Sequence, residues 1–493
     1  MALIPLKIPA GVYRNGTEYQ SAGRWYDANL VRWYENTLRP IGGWRKKSTT
    51  ALTGLCRGIL TWRTNSGARY IAAGTQSKLY AMDENNVIKE ITPTGIASGR
   101  ADAVSGTGYG YNTYGSFAYG VARPDAGSVA PATTWSLDTW GEYLVACSDT
   151  DGKLYEWQLG FATPTLAVAI TNAPTGCAAL LSTAERFLFA LGASSNPRLV
   201  KWSDQEDNTT WTAAATNQAG DFELNTVGSL KCGKRVRGIN LLFTDVDVHT
   251  ATYVGLPYVY SFERAGSGCG VISSQSVAAI DSAAMWMSRS GFWIFDGYVK
   301  PLPCDVSDYV FTNMNYNQAS KVYAVHNSKY GEVWWFYPSS SSNEVDSYVI
   351  YNYREGHWNI GTLARTAGVD RGVYLNPIMV DPSGYIYEHE VGFGYDGGSV
   401  YAESGPYEIG VGENIMSVRQ VIPDEQTLGE VQISFKSRMY PTSVETTHGP
   451  YSASQPTDAR FSGRQVKIRY TGAVLEDWRV GVTRVDAVAS GKR

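Results

Sequence analysis

MWMSRSGFWIFDG (285–297), VYAVHNSKYGEVWWFYP (322–338) and SYVIYNYREGHW (347–358) are short runs of aromatic and β-branched residues broken by Gly, Asn, Ser or Pro. Bulky, stiff side chains suit a pleated surface. The punctuating residues suit tight turns, because they tolerate positive φ or bond their own backbone. The pattern reads as strand, turn, strand, turn, strand. In 292–296, Phe292, Ile294 and Asp296 fall on one face and Trp293 and Phe295 on the other. With four of the five apolar, this strand is expected to be covered on both sides, as in stacked sheets.

Similar units extend outward from this stretch. Residues 57–92 hold four runs, GILTW, RYIAAG, KLYAM and VIKEIT, joined by turns such as Asn65-Ser66-Gly67. That is a four-stranded meander of the size of one propeller blade. Related units recur at 140–158, 185–203, 234–262, 279–300, 322–358 and 377–392, giving six or seven blades. Isolated sheets of this kind leave both faces bare, so they must stack in a ring or array. VSDYVFTNMN (306–315) reads as a short helix with Ser307 as its N-cap.

The flanking segments differ. Residues 1–48 read as an extended arm, with Pro5, Pro9, Gly11 and Gly16 arguing against helix. The arm carries Arg24, Arg32, Arg39, Arg45, Lys46 and Lys47. It is either a solvated edge whose cationic stems lie over aromatic faces or a docking arm that pairs with a neighbouring chain. Residues 49–399 form the propeller, with a low-complexity Gly/Tyr insertion at 103–127 that reads as a long surface loop or an aromatic contact tip. Residues 400–493 alternate cleanly, as in EVQISFKSRMY (430–440), with one face wet. They form a C-terminal antiparallel β domain, or a sheet closed with strands from the arm. The fold class is therefore all-β.

Composition agrees with this. The chain has 493 residues, 43% hydrophobic, with 51 Gly, 33 Tyr and 15 Trp against 18% charged. Its net charge of −4 gives no basic stripe of the kind that clamps nucleic acid. Cys56, Cys147, Cys177, Cys232, Cys269 and Cys304 form no CxxC pair and read as reduced core residues. MALIPLKIPAG is not a charged region followed by a long apolar run, so synthesis and folding in a cytoplasm are expected.

No catalytic, cofactor or metal residues stand out. His249, His326, His357, His389 and His448 lack metal-ligand spacing, and no HExxH, nucleophile elbow or P-loop appears. Ser148-Asp149-Thr150-Asp151-Gly152 approaches a sialidase Asp box, but its Ser is one residue early and it does not recur. Asp151-Gly152 reads as a hairpin turn.

WYDANLVRWYENTLRPIGGW (25–44), KWSDQEDNTTWTAAATNQAGDFEL (201–224) and RFSGRQVKIRYTGAVLEDWRVGVTRVDAVASGKR (460–493) resemble segments of the tail nozzle or hub proteins of short-tailed bacteriophages. This family is also called tail tubular protein B or packaged-DNA-stabilisation protein. The resemblance touches the start, middle and end of the chain. It implies a β-propeller with added β domains, in a homohexameric ring below the portal and head–tail adaptor, around the channel for double-stranded DNA. It implies contact with tail fibre or spike proteins, a place in the virion tail after assembly in the host cytoplasm, and no catalytic residues. In the family the 201–224 segment joins blades. Two other readings compete: a propeller-type glycan-binding or glycan-degrading tail protein, and a tail fibre or spike. Repeated Asp boxes would favour the former, and a constant short repeat the latter.

Overall fold

The computed structural model describes residues 3–105, 129–161, 165–409, 412–427, 430–472 and 476–491. Nearly all of the Gly/Tyr insertion expected at 103–127 lies outside these.

Seven four-stranded antiparallel sheets follow one another along the chain. Blade one is Cys56–Arg63, Arg69–Thr75, Leu79–Met82 and Ile88–Glu90. Blades two to six occupy 135–169, 179–223, 230–267, 277–302 and 323–362. The first strand of each blade touches the first strand of the next, and that of blade seven returns to blade one. This is a closed seven-bladed β-propeller. We call the face where the first strands begin the upper face.

The alternation read at 292–296 explains the stacking. Phe292 meets Trp335 and Trp358 of blade six, with ring centroids 4.9 and 4.7 Å apart. Phe295 faces the other way and joins Phe243 and Val248 of blade four. Burying each such side chain contributes roughly 1.5–3 kcal/mol, which only a neighbour on each side can supply. The turns are as read: Gly67 has φ +89°, a conformation that suits glycine, and Asp151-Gly152 joins two strands of blade two.

Blade seven is assembled from both parts of the chain. Ala367–Val369, Ile378–Val380 and Ile386–His389 supply three strands. The fourth is Trp44–Lys46, paired as His389↔Trp44, Glu388↔Arg45 and Tyr387↔Lys46. The C-terminal region also borrows from the start. One of its sheets takes Leu3–Pro5 beside Arg484–Ala489. The other takes Trp25–Asn29 beside Tyr401–Ser404. Val431, Ile433 and Phe435 are buried between the sheets, as their alternation predicts. The sandwich core runs without a break into the arm and blades five and six.

The arm's strands are paired within its own chain, and its exposed end, Arg45 and Lys46, is a solvated edge with cationic stems over aromatic faces, as one of the two readings expected. Its strands find unsatisfied edges in blade seven and in both sandwich sheets. Its cations are also used internally. Arg24 pairs with Asp305, Arg39 with Asp477 and Arg45 with Glu388. Lys46 and Lys47 lie over the rings of Tyr385 and Tyr374. The helix Ser307–Thr312 forms where expected, but Val306 precedes it and Ser307 does not cap it. Asn15 of the arm accepts from the Asp308 N–H instead, at 3.0 Å. The segment expected to join blades, 201–224, forms the outer half of blade three.

Candidate functional site

The first strands present their unpaired inner edges to the propeller axis, and side chains stitch those edges together. On blade two, the Ser136 hydroxyl donates to the Leu180 carbonyl and accepts from the Leu180 N–H, both at 3.2 Å. Asp138 accepts from the N–H groups of Ser182 at 2.9 Å and Thr139 at 2.8 Å. Arg235 of blade four reaches over blade three to Asp138, 3.4 Å away.

These strands enclose an axial cavity of about 300 Å³ lined by all seven blades. Its upper mouth is bridged from side to side. Gln275, just before blade five, donates to the carbonyls of Arg57 on blade one and of Trp135 on blade two, the latter at 3.0 Å. Ser274 meets Thr134 at 3.2 Å. In a seven-membered ring blade five stands opposite blades one and two, so these bonds cross the axis. Gly58 is required here for space: a Cβ on it would come within 2.9 Å of the Trp135 carbonyl oxygen. The charged side chains of the wall are Lys231, Lys234, Arg235 and Asp138.

Two ionic clusters guard the seam where the ring closes. On the upper side Arg57 of blade one binds Glu344 of blade six across blade seven, at 2.8 Å through one nitrogen. The fully buried Lys321 ammonium joins Asp102 and lies 3.6 Å from Glu344. On the lower side Arg32, 2% exposed, holds Glu332 of blade six at 2.9 and 3.0 Å and Glu390 of blade seven at 2.9 and 2.5 Å. Burial pushes both carboxyls up. Arg32 and further donors bring Glu390 below its ordinary value, whereas Glu332 stays above it.

The residues surveyed for chemistry are scattered. His326 connects Asp370 (3.2 Å) to the Tyr353 hydroxyl (3.0 Å) on the lower face. Asp370 also accepts from the backbone of Ser328 and Arg371, so the chain of groups holds two turns together. His389 is buried and accepts from Arg365 Nε at 2.9 Å; burial holds it well below the usual imidazole value. The six cysteines are unpaired, and Cys304 alone is not fully buried. Burial pushes the Cys56 thiol up to about 11 and Cys232 to about 12, which disfavours the reactive thiolate. Among the described residues no three His, Cys, Asp or Glu groups gather as metal ligands. No helix among them is long and apolar enough to cross a membrane. Neither the axial cavity nor the clusters could be read beforehand, because each joins residues from several distant blades.

No family model and no curated protein matches the chain. Solved structures that match include a streptogramin B lyase, 9% identical over 70% of this chain and 96% of that one, with a TM-score of 0.43. BamB from Moraxella catarrhalis is 11% identical over 69% of this chain and 97% of its own, at a TM-score of 0.31. A glycoside hydrolase is 9% identical over 90% and 100%, at 0.24.

Proposed function

We propose that this protein is a structural component of a bacteriophage virion: a tail nozzle or hub that assembles as a homohexameric ring, retains packaged DNA and guides its ejection. The observation that carries the reading is the interweaving of the arm with blade seven and both sandwich sheets. A ring that holds back packaged DNA must not unravel when loaded. Here pulling on the arm meets strand pairing in three sheets and the buried Arg32 cluster. The resemblance of 25–44 and 460–493 points the same way, since those segments build this junction.

The DNA path in this reading is the hole of the assembled ring. The propeller axis is too narrow: its cavity is about 300 Å³ and its upper mouth is bridged. A duplex, whose major groove alone is about 12 Å wide, cannot thread it. The wall of the ring should let DNA slide, so the isolated chain is expected to bind duplex no tighter than roughly 10⁻⁴–10⁻⁶ M at physiological salt. The test pairs class-averaged images of purified particles with a DNA-retention assay on particles lacking the protein. Six-fold density below the portal and leaky particles are expected. Particles that keep their DNA equally well would remove the retention role.

The axial cavity favours a second reading, a propeller-type glycan-binding or glycan-degrading tail protein. Turnover of host capsule or lipopolysaccharide by the purified chain, abolished by one acidic substitution, would establish it over the first.

A further inference from the structure

The outer hairpin of blade four is outsized. Its strands, Asp247–Gly255 and Val259–Ser267, have nine residues each, against two to six for the outer strands of the other blades. Pairing with the second strand of the blade ends at Ala251, so Thr252–Gly255 pairs only within the hairpin. The third strand of a blade runs away from the upper face, and the excess therefore overhangs the lower rim as a finger. From 250 to 262, TATYVGLPYVYSF, the finger carries no charge. Its base is fixed by rings: Phe187 of blade three meets Tyr253 at 5.8 Å and Tyr260 at 5.4 Å. Its tip is bare, with Leu256 70% and Tyr258 80% exposed. We propose that this finger is the contact between copies of this chain, its tip seated in an apolar pocket of the next copy.

The pocket, of about 270 Å³, lies between the arm and the sandwich, with Leu6, Ile8, Trp25, Trp33, Leu38 and Val480 in its wall. That is the volume of roughly nine waters, which suits one or two large side chains. No finger residue lines it. The finger belongs to the core of blades three and four, the pocket to that of the arm, the sandwich and blades five and six, so the pocket is left to a second copy. A knob and a pocket at different places on one chain make a heterologous contact, which closes into a ring when the rotation allows. The placement allows it. The pocket stands outside the fourth strand of blade six, where Trp33 meets His357 edge-on with centroids 6.3 Å apart. His357 opens that strand, so this is again the lower rim. Blades four and six are two steps apart in a ring of seven, about 103°, and the two neighbours of a subunit in a six-membered ring lie about 120° apart. A tip of four residues is far short of the roughly 20–30 per side of a stable pairwise interface. One contact is therefore weak, and ring closure, which gives each copy two, is what holds it.

The contact rests on the ring proposed above. It is tested on the full-length protein by mixing two variants, Tyr258→Cys and Val482→Cys, under mild oxidation; Val482 is an exposed residue of the pocket wall. A disulfide-linked dimer is expected from the mixture and none from either variant alone, since five of the six native cysteines are buried. One chain carrying both substitutions should give a ladder that stops at six. Leu256→Asp combined with Tyr258→Asp should melt as the parent does, both side chains being exposed, and should raise the concentration needed for association at least about tenfold in sedimentation. Rings that form unchanged with the charged tip would rule out the finger contact and leave the ring standing. A ladder that does not stop would keep the finger contact and rule out the six-membered ring. A parent that stays monomeric at about 100 μM, with no crosslink in the mixture, would overturn both.

Discussion

Replacing Arg32 by Met keeps most of the aliphatic volume and removes the guanidinium from between two buried carboxylates. Glu390 would retain the Gly42 N–H and the Asn327 amide, both at 3.0 Å, and Glu332 the Trp334 indole N–H at 2.9 Å. Neither would retain a counter-charge. Removing one partner from a buried ionic cluster costs about 3–5 kcal/mol, because the charge left behind stays desolvated. One decade of equilibrium is about 1.4 kcal/mol, so local opening at the seam should become about 10²–10⁴-fold more frequent. Amide hydrogen exchange reads this directly. Val31–Tyr34, Thr37–Pro40 and Trp44–Lys46 should lose protection by that factor, while blade three, remote from the cluster, should not change. Replacing Glu332 and Glu390 by Gln in the same chain should recover much of the loss, since no uncompensated charge then remains. A change below about tenfold in those strands, or an equal change in blade three, would refute the assignment of the clamp to the seam.

Acid should weaken the fold through His389. Its folded value is depressed by burial below 6.5, so the unfolded chain takes up a proton first; its contribution is intact above pH 6.5 and is lost as pH falls below it. His389→Gln should flatten the pH dependence of the unfolding free energy from denaturant titration below 6.5 by up to about 1.4 kcal/mol per pH unit, leaving the slopes due to His249, His357 and His448. Gly58→Val should destabilise by about 1–3 kcal/mol in denaturant titration, because its side chain collides with Trp135 at the bridged mouth. A chain beginning at Ser48 should lack a cooperative melt, having lost one blade strand and two sandwich strands, and a melt unchanged from the parent would contradict the shared architecture.

Most of the propeller was legible because a blade is a local object. Each run pairs with the next across a turn such as Asn65-Ser66-Gly67 or Asp151-Gly152, so pattern and punctuation suffice. What stayed hidden is non-local. Nothing in Trp44-Arg45-Lys46 tells that its partner is Tyr387-Glu388-His389, because a three-residue strand carries too little alternation to specify a register. Arg32 looked like one of eight arm cations; its burial depends on Glu332 and Glu390, which no spacing rule connects to it. The Ser307 cap failed for a related reason, since Asn15 arrives from far along the chain to take the exposed N–H. The axial cavity is made by a ring of strands, so no single segment contains its signature.

The placement of Trp44–Lys46 in blade seven also fixes an order in time. These residues leave the ribosome long before their partners at 386–389, and Leu3–Pro5 waits for Arg484–Ala489. At about 5–20 residues per second, the arm remains without its strand partners for roughly 20–90 s of synthesis. During that interval the early blades can stack in sequence, but the ring has an open end and the arm is a set of bare edges able to pair with another nascent chain. The protein therefore commits to its closed form only once the strands at 386–389 and 484–489 have been made, and dense polysomes are where arms of neighbouring chains would exchange.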